Sequence, residues 1–223
     1  MACCHCQVAD SKFGEKTARA DLARYRKRGP NATTRGLIRA FQDQSIAPAT
    51  LLDVGSGIGV LTHELLNGPA ASSTLVDESS AYQAVARDLA SEHGTAERCT
   101  FVQGDFVDVQ PTLPGADLVA LDRVVCCYPE VARLLGAVAD TGAVWCGLSY
   151  PRDRWYIKAM VAAMNASLWL RRMDFRVFVH AEQRIWALLE KEGFRVNMES
   201  GTFVWKIVLL ERRTNSDASV QQA

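Results

Sequence analysis

The stretch LLDVGSGIGVLTHELL, residues 51–66, constrains this chain more than any other. It opens on an apolar run typical of a strand buried on both faces, passes Gly55, Gly57 and Gly59, and ends with the apolar spacing of an amphipathic helix. A strand that turns through glycines into a helix begins a βα unit, and such a unit requires a parallel neighbour strand. With no Cβ atoms in the turn, backbone can approach a ligand closely.

Two ligands compete for such a turn. A dinucleotide fingerprint starting at Gly55 requires glycine at position 60, where this chain has Val60, and that disfavours a nicotinamide-linked oxidoreductase. The pattern is instead DxGxGxG, with Asp53 at the carboxyl end of the strand, where a carboxylate suits a ligand bearing an ammonium group better than a pyrophosphate.

Downstream the chain alternates. LLDVG, STLVD, CTFVQGD, DLVALDRVV and GAVWCGLSY read as short strands, and IGVLTHELL, AYQAVARDLASEH, EVARLLGAVAD and HAEQRIWALLEKEGF as helices. RVNMES and FVWKIVLLER, parted only by a Gly201 turn, leave little room for a crossover helix and read as a hairpin. The expected fold is α/β, Rossmann-like and doubly wound, with a mostly parallel seven-stranded sheet whose last strand is antiparallel. Residues 1–50 form a helical preamble and cap, broken at Gly29 and Pro30, and residues 51–211 the main domain with a helical lid insertion at 151–180. Residues 212–223 form a disordered tail.

The strand ends then describe one ligand. STLVD closes on Asp77 and Glu78, about 20 residues past the glycines, where an acidic side chain can grip two ribose hydroxyls. The third strand ends in Gly104, Asp105 and Phe106, a carboxylate able to accept from an adenine amino group beside a ring able to stack on it.

This pattern resembles the class I S-adenosylmethionine-dependent methyltransferases over residues 51 to 211, including the reversed last strand. The resemblance implies S-adenosylmethionine as cofactor. Asp53, Gly55, Ser56, Gly57 and Gly59 would line its methionine and ribose side, Asp77 would hold the ribose, and Asp105 and Phe106 the adenine. Asp122 and Arg123, ending the fourth strand, would border the sulfonium. The segment ALDRVVCCYPE is similar to the IHYP segment of magnesium-protoporphyrin O-methyltransferases, with Cys127 in the place of that subgroup's histidine.

Methyl transfer from a sulfonium is an in-line displacement, so the protein mainly aligns donor and acceptor and excludes water; a base is needed only when the acceptor is not already ionised. Catalytic candidates are Tyr25, Tyr128 and His180. Each has a plainer reading: Tyr25 or Tyr128 packing a helix on the sheet, and His180 simply opening the last helix. Trp155, Met160, Met164, Trp169 and Phe175 supply either an apolar lid or ordinary core.

Charge narrows the acceptor. Formal net charge is zero, yet residues 1–40 hold nine Lys/Arg against three Asp/Glu and residues 151–180 six against two. Arg24, Arg26, Lys27, Arg28, Arg152, Arg154, Arg171, Arg172 and Arg176 fall in segments that cover the substrate mouth in similar enzymes. They either clamp an anionic acceptor or form a solvated face. The expected partner is thus an anionic small molecule methylated on oxygen. Overall neutrality and the lack of an NPPY-type motif argue against RNA or protein as acceptor, and a non-catalytic cofactor-binding subunit is the remaining alternative.

With no export signal and no apolar run long enough to span a bilayer, the chain is expected in the cytoplasm, with its seven cysteines as reduced thiols. CCHC at residues 3–6 is too compact for one tetrahedral zinc, so no metal site is expected and the cluster reads as a frayed or weakly metal-binding terminus. Cys126 and Cys127 invite comparison with thiol-dependent arsenite methyltransferases, but on an extended segment adjacent side chains point to opposite sides, which favours core packing.

Overall fold

The computed structural model describes residues 14–44, 46, 48–173 and 175–213, so the CCHC cluster and the tail beyond Arg213 lie outside it. Helices α1 (Glu15–Arg28) and α2 (Ala32–Gln42) come first. Gly29, at φ 69°, ends α1 by donating to the Tyr25 carbonyl, and the Asn31 side chain caps α2 by accepting from the Thr33 and Thr34 amides.

Seven strands follow: β1 (Ala49–Val54), β2 (Ala70–Asp77), β3 (Cys99–Gln103), β4 (Leu118–Asp122), β5 (Trp145–Pro151), β6 (Phe194–Gly201) and β7 (Trp205–Arg212). Between them lie α3 (Val60–Leu66), α4 (Ser80–Glu92), the short α5 (Phe106–Val109), α6 (Val131–Asp140), α7 (Trp155–Leu170) and α8 (Glu182–Lys191). The sheet order is β3-β2-β1-β4-β5-β7-β6, with β7 antiparallel to both neighbours and every other pairing parallel. This is the expected doubly wound, mostly parallel fold, and the order reverses between β1 and β4, where such sheets open a crevice at their carboxyl ends.

Side-chain alternation on the central strands divides the core into two layers. Leu52, Val54, Val119, Leu121 and Leu148 pack with Leu134, Leu135, Val138, Ile185 and Leu189 of α6 and α8. Leu51, Leu118, Ala120 and Leu209 pack with Leu37, Ile38 and Phe41 of α2 and with Leu61 and Leu65 of α3. Helix α2 therefore belongs to the sheet's own covering layer, and α1 lies over α4 through Ala18, Leu22 and Tyr25.

Helix α2 sits flush on β5. A Cβ added at Gly147 would stand 2.7 Å from two ring carbons of the fully buried Phe41 and 3.2 Å from Leu37 Cδ2. Gly147→Ala is therefore expected to destabilise the fold by about 1–3 kcal/mol through overpacking, measured as a lowered urea midpoint with an unchanged m-value.

Candidate active site

Parallel pairing brings the ends of β1, β2, β3 and β4 to one edge of the sheet. The β1–α3 turn needs its glycines for different reasons. Gly55 and Gly57 have φ 62° and 56°, and a Cβ on Gly55 would fall 2.5 Å from Val124 Cγ2. Gly59, at φ 77°, backs onto Leu75 and Ala86, so it serves the packing behind the turn rather than the crevice wall. Between them the buried Ser56 hydroxyl has no hydrogen-bond partner among the described residues, a donor that a ligand in the crevice can satisfy.

Each acidic tip is held by donors. Asp77 accepts from the Gly57 amide at 2.8 Å and the Ser79 amide at 2.9 Å, tying the second strand end to the glycine turn. Asp105 caps α5 by accepting from the Val107 amide at 3.0 Å, and the buried Tyr128 hydroxyl donates to its carboxylate at 3.1 and 3.2 Å. Asp122 accepts from the Thr34 hydroxyl of α2 on one oxygen and the Ser149 hydroxyl of β5 on the other. Arg123 follows with φ 64°, unusual for a residue with a side chain, and its amide donates to the carbonyl and hydroxyl of Ser149.

Asp53 is the most buried of the four, 2% exposed, and accepts from the Thr62 hydroxyl at 2.8 Å, with Ser73 Oγ 3.0 Å beyond. Burial, reinforced by the charges of Asp122 and Asp77 and opposed by Thr62, pushes its carboxyl up to about 7. A cationic group in the crevice would restore the ionised form.

These tips line a cavity of about 380 Å³ whose wall takes in Asp77, Glu78, Gly104, Asp105 and Phe106, Gly55, Gly57, Asp122 and Arg123, and Cys127, Tyr128, Phe175, Val177 and Trp205. A smaller space of about 100 Å³ shares Gly55, Gly57, Asp122 and Arg123 with it and adds Asp53, Ser56, Arg24 and Tyr25. The wall combines acidic strand tips and bare backbone with apolar side chains and one guanidinium, that of Arg123. S-adenosylmethionine suits this lining chemically: carboxylates would meet its hydroxyls, amino group and cationic sulfur, and Phe106 offers a ring beside Asp105.

The catalytic candidates do not converge. The Tyr25 hydroxyl beside the smaller space donates to Glu64 at 2.9 Å, and burial and that contact push its phenol well up. Tyr128 faces the cavity but commits its hydroxyl to Asp105. His180 lines neither space: its Nε2 lies 2.9 Å from the Tyr128 carbonyl, and burial pulls its imidazole down. It braces the segment that carries Tyr128.

Three readings of the surrounding segments change. Of the apolar lid candidates only Phe175 is buried and faces the cavity, whereas Trp155, Met160, Met164 and Trp169 point to solvent. Among the basic candidates only Arg24 lines a space. Arg26 pairs with Glu92, Arg152 donates to the Thr202 carbonyl, and Arg176 to those of Met173 and Phe175. Cys126 and Cys127 are not on an extended segment. A 3-10 turn at Val125–Cys127 sets both thiols on the same side, 3.7 Å apart, lining the cavity; the contact with Cys127, and then burial, raise the Cys126 thiol well above its ordinary value. Among the described residues no group of three or more His, Cys, Asp or Glu side chains could hold a metal.

Sequence reasoning missed Thr34, Thr62, Ser149 and Ser79, the donors that fix the carboxylates. Thr34 meets Asp122 across 88 positions, and no local pattern announces such a pair.

Comparison with known proteins agrees with this fold. Residues 51–141 match the family described as "Methyltransferase domain", and with the fold that match identifies a class I methyltransferase domain, the class whose cofactor is S-adenosylmethionine. The mitomycin biosynthesis 6-O-methyltransferase of Streptomyces lavendulae is 33% identical over 173 residues, 74% of this chain and 46% of that protein. The chain thus spans about half the length of that curated relative. Magnesium protoporphyrin IX methyltransferase from Synechocystis, solved with S-adenosylhomocysteine, shares the fold at TM-score 0.73 and 17% identity, covering 94% of this chain and all of that one. The mitomycin 7-O-methyltransferase structure is 25% identical at TM-score 0.59, covering 82% of this chain and 54% of that one.

The raised Asp53 carboxyl has a measurable sign. Its folded value exceeds its unfolded one, so its contribution to stability is full below pH about 4 and is lost as pH rises to about 7. Asp53→Asn keeps an acceptor for Thr62 without the buried charge. Its stability relative to the unsubstituted protein should therefore grow across that window, by at most roughly 4 kcal/mol, and level off above it in urea titrations run at several pH values.

Proposed function

We propose that the protein transfers a methyl group from S-adenosylmethionine to an oxygen of a small, anionic, apolar-bodied metabolite. The observation that carries this reading is the mixed lining of the cavity: acid and bare backbone at the strand tips, together with Phe175, Val177, Trp205 and the Arg123 guanidinium. The names of the relatives, O-methyltransferases of small molecules, support oxygen as the acceptor atom.

The cofactor supplies an electrophilic methyl on a positively charged sulfur. The chain's residues do the rest. Asp77 and Glu78 take the ribose, Asp105 and Phe106 the adenine, and Asp53 with the Gly55–Gly57 backbone the methionine portion. Arg123, projecting from the β4 tip into both spaces, holds the acceptor's negative charge and so sets its oxygen in line with the transferring group. Phe175, Val177 and Trp205 exclude water from the apolar body. An acceptor already ionised at pH 7 needs no general base. That is consistent with Tyr25, Tyr128 and His180 all having their polar atoms engaged elsewhere.

Calorimetric titration with S-adenosylmethionine, followed by a screen of carboxylate, phenol and amine acceptors reading S-adenosylhomocysteine release, tests the reading. Binding with turnover on an oxygen acceptor is expected; binding with no turnover on any class would instead favour a non-catalytic subunit. Asp77→Ala should weaken cofactor binding by about tenfold or more, and undiminished binding would remove the ribose assignment.

Tyr128→Phe separates an adenine-side role from a catalytic one. Loss of its hydroxyl should raise KM for the cofactor by about three- to tenfold while kcat changes by less than about twofold; a fall in kcat at saturating cofactor would restore Tyr128 as a catalytic residue.

A further inference from the structure

Helix α7, WYIKAMVAAMNASLWL, is apolar almost all round yet covered on one narrow side only. It buries Ile157, Val161 and Leu168, a single stripe at helical spacing. Its two strongly polar residues are engaged: Lys158 pairs with Asp153, and Asn165 exchanges hydrogen bonds with the Val177 backbone at 2.8 and 2.9 Å. On an ordinary surface helix the opposite face carries charge. Here it carries Trp155, Trp169 and Leu170 at 80, 66 and 74% exposure, with Met160 and Met164 flanking. Phe203, 75% exposed, extends the patch from the β6–β7 turn by stacking on Tyr156 at 4.9 Å.

The charges at the ends say what covers this face. Arg154 precedes the helix, Arg171 and Arg172 follow it, all three are exposed, and the helix itself has no acidic residue. A second copy laid antiparallel would set Arg154 of each chain against Arg171 and Arg172 of the other, basic on basic at both ends. An anionic surface with an apolar interior is complementary to both the ends and the middle. We propose that α7 docks the protein, helix axis in the plane, on an anionic lipid bilayer: Trp155, Trp169, Leu170 and Phe203 enter the interfacial layer while the arginines meet headgroup phosphates. The docking does not depend on the methyl-transfer reading.

Co-sedimentation of the full chain with phosphatidylcholine vesicles, with and without phosphatidylglycerol, tests the proposal. The chain should partition onto the anionic vesicles and at least about fivefold less onto the neutral ones, with the difference shrinking as salt rises from about 0.1 to about 0.5 M. Tryptophan emission should shift to the blue on binding and be quenched by bromine-labelled acyl chains. Trp155→Ser/Trp169→Ser should lower partitioning by about tenfold or more, and Arg171→Glu/Arg172→Glu should remove the preference for anionic lipid. Both variants should keep the unsubstituted protein's unfolding midpoint and its binding of S-adenosylmethionine. Failure to bind anionic vesicles, or undiminished binding by the folded tryptophan variant, overturns the proposal. So does lipid-free self-association that this variant abolishes, which would assign the face to a second copy. An acidic protein that competes the chain off the vesicles and binds it more tightly than lipid would overturn it in favour of a protein partner.

Discussion

The parallel register of β1 with β2 and β4 is what the rest of the molecule depends on. It pairs Val54 with Val76 and Asp53 with Ala120, so that three chain segments far apart in sequence end at one level. The reversal of strand order between β1 and β4 keeps their following segments apart and leaves the crevice open. Helices α2 and α3 on one side and α6 and α8 on the other hold that register by burying alternate residues of the same strands.

At the crevice the carboxylates are set by donors that arrive from elsewhere in the fold. Asp122 is gripped by hydroxyls from α2 and β5, Asp105 by the Tyr128 phenol, and Asp77 by two backbone amides. Their positions are therefore fixed before any ligand arrives, and an acid-lined crevice favours a ligand that brings positive charge. Asp53 registers that environment most directly, because its burial, with the charges of Asp122 and Asp77, outweighs the hydrogen bond from Thr62.

Much of this was legible in the sequence, for physical reasons. Strand-to-helix turns through glycine, and acids at the ends of apolar runs, are local patterns, so the sheet, its reversed last strand and the acidic tips could be read directly. What depends on distant pairing could not. Nothing near Tyr128 tells that its hydroxyl reaches Asp105, and nothing near His180 tells that it turns to a backbone carbonyl. The tight turn that brings Cys126 and Cys127 together is too short to leave a periodic signal, and the apolar spacing of α7 is the same whether protein or something else covers it.

The acidic and apolar parts of the cavity lining have different structural parentage. The acidic part is made by the tips of the first four strands, all tied into the buried sheet, whereas Phe175 and Val177 come from the connection after α7, which packs through one stripe of side chains. Under the proposed function, changes along that connection would reshape which acceptor is admitted without disturbing the strand pairing that sets the acidic tips in place.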